Sequence, residues 1–113
     1  MAQQARRDND PHRLAEERSI AYHRVIAERL VRDPALLDAA RARVRGWLET
    51  QQPVPAYASA WNEILAQEVV AIAAFLVDPG ERARELRQSS PFAGYLSPRE
   101  RWQLWHETRQ TAR

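Results

Sequence analysis

A helix-capping residue stands directly before a proline four times in this chain: Asp10-Pro11, Asp33-Pro34, Asp78-Pro79 and Ser97-Pro98. Asp and Ser side chains accept the orphan amide hydrogens of a starting helix, and proline suits the first helical position, where a missing N–H costs nothing. The last pair is the strongest, because Glu100 lies three residues beyond Ser97 and completes a capping box. No alternating segment rich in Val, Ile or Thr appears, so β-structure is not expected. The expectation is one all-α domain of five to six short helices over residues 10–113, preceded by a flexible tail at 1–9 that has no apolar periodicity.

Apolar spacing locates the helices. Leu14, Ala21, Tyr22, Val25, Ile26 and Leu30 stripe a helix over Pro11–Arg32. Leu37, Ala40, Val44, Trp47 and Leu48 stripe a second, from Pro34 to about Gln51, which Pro53-Val54-Pro55 ends. Tyr57, Trp61, Ile64 and Leu65 share one face of a third, from about Ala56 to Ala66. The run from Gln67 to Val77 is apolar almost all round and reads as a helix buried on more than one side. It either continues the third helix or follows a bend near Gln67. A further helix is expected over Pro79–Arg87, then a loop from Gln88 to Gly94, then a last helix from Pro98 to about Gln110 with Trp102 and Trp105 on one face.

At 113 residues the chain supports one modest core. It has no cysteine, hence no disulfide framework and no thiolate ligand or nucleophile. The longest apolar run, Val69–Val77, falls well short of the roughly 20 residues a membrane span needs. The polar start leads into no apolar signal core, so a soluble cytoplasmic protein is expected. His12, His23 and His106 have no partner at zinc-motif spacing and read as helix-surface or capping residues. The three glycines form no phosphate-binding loop. No catalytic residue, cofactor, metal or small-molecule substrate is therefore expected.

Charge and aromatic content point to a macromolecular partner. All 17 basic residues are Arg, and residues 82–113 hold seven of them against three acids. Arg offers a planar fork for carboxylates and phosphates, although a coding bias produces the same composition. Arg41, Arg43 and Arg45 spread over about 200° of their helix and form no single basic stripe. Four Trp, three Tyr and two Phe are many anchors for a small core, and Trp and Arg dominate binding hot spots. The candidate partner-binding residues are Arg87, Ser89, Ser90, Phe92, Arg99, Arg101, Trp102 and Trp105. A loop phenylalanine such as Phe92 can equally tuck under the domain. The alternative is a small nucleic-acid-binding regulator, with the Arg and Trp of the C-terminal third holding phosphates and stacking bases.

The strings Arg18-Ser19-Ile20-Ala21-Tyr22-His23-Arg24-Val25-Ile26-Ala27, Asp33-Pro34-Ala35-Leu36-Leu37 and Trp47-Leu48-Glu49 resemble a group of small bacterial proteins on the antitoxin side of toxin–antitoxin pairs. The string from Leu86-Arg87-Gln88-Ser89-Ser90-Pro91-Phe92-Ala93-Gly94 to Tyr95-Leu96-Ser97-Pro98-Arg99-Glu100-Arg101-Trp102 resembles the same group and is more distinctive. The resemblance spans roughly residues 18–105 and implies a protein that neutralises a toxin by direct contact and active-site occlusion. The chain shows no appended DNA-binding segment of the ribbon–helix–helix kind.

Overall fold

The computed structural model describes residues 11–111, and side chains as far as Glu107. The expected tail at 1–9, the Asp10 cap and the side chains of Arg109 and Arg113 lie outside the described residues. Among the described residues six α-helices follow in order: α1 (Pro11–Arg32), α2 (Leu37–Thr50), α3 (Ala56–Leu65), α4 (Val69–Leu76), α5 (Glu81–Arg87) and α6 (Pro98–Thr111). A 3-10 turn at Pro34–Leu36 leads into α2, and there is no strand among the described residues. The all-α architecture expected from sequence is the one found.

The long helix α1 organises the rest, packing against α4, α6 and the 3-10 turn, while α2 pairs with α3. Its buried residues are Tyr22, His23, Ile26, Ala27 and Leu30, spaced at three and four as a single inward face requires. Tyr22, Ile26, Ala27 and Leu30 form one continuous core with Val44, Trp61, Ile72, Leu76 and Phe92. The indole of Trp61 is fully buried, edge-on to Phe75 and Phe92, and its N–H donates to the Leu86 carbonyl at 3.1 Å. That bond satisfies the one polar atom of the ring and ties α3 to α5.

Three capping pairs fall within the described residues, and only one behaves as expected. Ser97 accepts the Glu100 N–H at 3.1 Å while the Glu100 carboxylate accepts the Ser97 N–H at 3.0 Å, a complete capping box at the start of α6. The Asp33 side chain makes no capping bond, and Pro34 opens a 3-10 turn, so the α-helix begins only at Leu37. The Asp78 carboxylate accepts the Gly80 N–H at 2.7 Å, two residues on, which closes an Asx turn. That turn delays helical winding, so α5 starts at Glu81 behind a Gly80 cap, not at Pro79.

The apolar run after Gln67 is a separate helix, because Ala66–Glu68 break away from α3. It is not buried on more than one side. Ile72 and Leu76 are buried with Val69 and Ala73 partly covered beside them, whereas Ala71 and Ala74 face outward with Val70, which is 68% exposed. Alanine exposes little apolar area, so a sequence apolar all round still forms a one-sided helix here.

Candidate protein-binding face

The loop between α5 and α6 is held down by hydrogen bonds from α1 and α2. Tyr22 donates its hydroxyl to the Phe92 carbonyl at 2.6 Å and accepts the Tyr95 N–H at 3.1 Å. Tyr95 donates to the Leu36 carbonyl at 2.6 Å. One Nη of Arg43 reaches the carbonyls of Pro91 at 3.1 Å and Ala93 at 2.8 Å. Gly94 turns the chain at φ +86°, where a side chain is strained. With its backbone satisfied, the loop buries its phenyl ring completely: Phe92 is 0% exposed. Phe92 is therefore a core residue and not an external anchor. Arg41 is engaged similarly, donating from Nε to the Leu65 carbonyl at the end of α3 at 3.0 Å.

His23 and Ser90 complete the clamp. Nδ1 of His23 lies 2.7 Å from the Ser19 carbonyl, which can only accept, so Nδ1 carries the hydrogen. Nε2 is then an acceptor, and the Ser90 hydroxyl donates to it at 2.8 Å while accepting the Phe92 N–H at 3.1 Å. His23 is 3% exposed, not the surface or capping histidine expected. Burial depresses its pKa to about 4, the Ser19 carbonyl opposes the shift, and the nearby Arg87 charge adds to it. The imidazole is thus a neutral strut that locks the loop onto α1.

Arg87 is also internal. Its Nη1 donates to the carbonyls of Leu76 at 3.2 Å and Asp78 at 2.7 Å, closing the C-terminal end of α4. Its guanidinium is buried and held below the usual range by that burial, with Asp78 and Glu16 opposing. Arg87, Ser90 and Phe92 therefore leave the partner-binding set, because each satisfies this domain's own backbone or core. Ser89 is half-buried, its N–H bonded to the Leu86 carbonyl at 3.0 Å.

The remaining candidates lie on α6. Beyond the capping box, Glu100 pairs with Arg29 of α1. The Ser97 amide and the Arg29 guanidinium hold its carboxyl below the usual range. Trp105 is half-buried, with the Arg18 guanidinium 5.6 Å from the centre of its ring. Trp102 and Trp105, expected on one face of this helix, divide: Trp105 turns to α1, and Trp102 points out, 66% exposed. Its ring stacks on His106 at 5.5 Å and 4° between planes. Arg99, Trp102, Gln103 and His106 follow helical spacing along one exposed line, with exposed Arg101 beside it. A shallow groove of about 180 Å³ between α1 and α6 borders this line at Gln103.

The arrangement offers a helix capped at its start, a large indole in solvent and two cations next to it, which suits docking against an apolar patch rimmed by acids. Among the described residues no group of three or more His, Asp or Glu is placed to hold a metal ion, and no helix is long and apolar enough to cross a membrane. In comparisons with family models, curated proteins and solved structures, nothing matches the chain.

Proposed function

We propose that this chain is a non-catalytic protein-binding module that docks its partner on α6. On the resemblance of its sequence strings, the partner is a toxin whose active site the module occludes. Trp102 supplies the apolar anchor, and Arg99 and Arg101 pair with carboxylates at the rim. One observation carries the reading: an indole two-thirds in solvent on a helix fixed at its start by a capping box and to α1 by the Arg29–Glu100 pair. An exposed Trp contributes little to the monomer's stability and much to a contact that covers it.

The test co-expresses the chain with the product of the neighbouring reading frame and scores growth and affinity. Truncating a central Trp anchor costs at least about 2 kcal/mol, roughly 30-fold in affinity, while an exposed Arg pair contributes under about 1. Trp102→Ala is expected to abolish rescue, and Arg99→Ala to weaken it slightly. A folded Trp102→Ala variant that rescues as well as the parent refutes α6 as the docking helix.

The presence of Arg99 and Arg101 beside an exposed aromatic ring also favours a second reading, a nucleic-acid-binding regulator. Phosphate contacts lose affinity steeply with salt, so a salt titration against duplex and single-stranded probes separates the two. Absence of binding at low salt ends the second reading.

A further inference from the structure

A cleft of about 280 Å³ opens between the first half of α1 and α5, away from the residues assigned to docking. His12, Glu16 and Ser19 line it from one face of α1, and Arg84 and Arg87 from α5 together with Gln88 at its C-terminal cap. Two guanidiniums and an imidazole thus meet a single carboxylate. That carboxylate holds its cation loosely: Arg84 Nη1 lies 3.4 Å from Glu16 Oε1, and both side chains are more than two-fifths exposed.

Arg87 makes the cleft more than a solvated charge cluster. It is 5% exposed, and both bonds from Nη1 go to backbone carbonyls, which fix the plane of the fork. Its Nη2 is buried and has no hydrogen-bond partner among the described residues. A buried charged donor without an acceptor is costly, and an oxyanion is the acceptor best matched to a guanidinium fork. Because the fork is already immobilised by folding, a ligand meets little further ordering cost there.

We propose that this cleft is a binding site for the oxyanion group, phosphate or carboxylate, of a small ligand. Arg87 is the preorganised donor, Arg84 the mobile cation that leaves Glu16 to close over the anion, and Ser19 and Gln88 the polar flanks. The volume lies just below the usual range for small-molecule pockets, which fits a short ligand with one anionic group.

The test titrates the full chain with inorganic phosphate and, separately, with malonate at constant ionic strength, chloride serving as the matched control, and follows backbone amides by NMR. Saturable shifts at Ala15, Ser19 and Gln88 that chloride does not produce are expected. Phosphate alone saturating assigns a phosphate ligand, and malonate saturating as well assigns the wider carboxylate class. Arg84→Gln is expected to weaken binding about tenfold. Glu16→Gln, which removes the competing carboxylate, is expected to strengthen it a few-fold. Trp102→Ala is expected to leave it unchanged, so the cleft stands or falls apart from α6. Shifts that are linear and shared with chloride, or an Arg84→Gln variant that binds like the parent, overturn the proposal.

Discussion

Lowering the pH from 7 to 5 puts a proton on His23 in the unfolded chain but not in the folded one. The unfolded histidine titrates near its ordinary 6.5, whereas burial holds the folded one at about 4. The unfolded state therefore binds more protons in this window, and stability falls as pH falls from about 6.5 towards about 4. Full protonation of the unfolded state against a neutral folded state corresponds to about 3 kcal/mol, and at pH 5 the loss is about 2. The structural cause is specific: a proton on Nε2 removes the lone pair that accepts the Ser90 hydroxyl and places a second cation near Arg87. Urea denaturation at pH 7 and pH 5, run on the parent and on His23→Gln, isolates the effect, because carboxylates such as Glu100 titrate alike in both proteins. The parent is expected to lose about 2 kcal/mol more than the variant over this interval. Equal losses in the two proteins refute the neutral-strut assignment.

Phe92→Ala is expected to cost about 3–5 kcal/mol by chemical denaturation, against a change within about 0.5 for Trp102→Ala, since one ring is fully buried and the other largely in solvent. The two open-space glycines should respond with opposite signs in thermal denaturation. Gly46→Ala, inside α2 with nothing within 4 Å of a new Cβ, stabilises by about 0.5–1 kcal/mol. Gly94→Ala, equally uncrowded but at φ +86°, destabilises by about 1 kcal/mol or more.

The helices were legible wherever local chemistry decides them. The Ser97–Glu100 box needs only its own four residues, and the α1 stripe needs only helical periodicity. Asp33 and Asp78 show the limit of that reasoning, because the same Asp-Pro dipeptide serves a helix cap, a 3-10 turn or an Asx turn, and the residues behind it choose among them. The site was less legible for a related reason. Phe92, Ser90 and Arg87 look like contact residues in a polar loop, yet their acceptors and donors (Tyr22, His23, Arg43 and the Leu76 carbonyl) lie between 11 and about 70 positions away in sequence. Spacing along one element carries no information about such partners. The division of Trp102 from Trp105 likewise depends on Arg18 of α1 meeting one ring and not the other. The cleft between α1 and α5 shows in sequence only as the helical spacing of Arg84, Arg87 and Gln88, a pattern that ordinary solvated faces share.

Hydrogen exchange across residues 98–107, measured with and without the co-expressed partner, tests the docking assignment most directly. Slowed exchange centred on Trp102 is expected once the partner is bound, with the cleft-lining amides of α5 little changed. A stable complex in which this helix exchanges as it does in the free chain, with protection falling elsewhere, contradicts it.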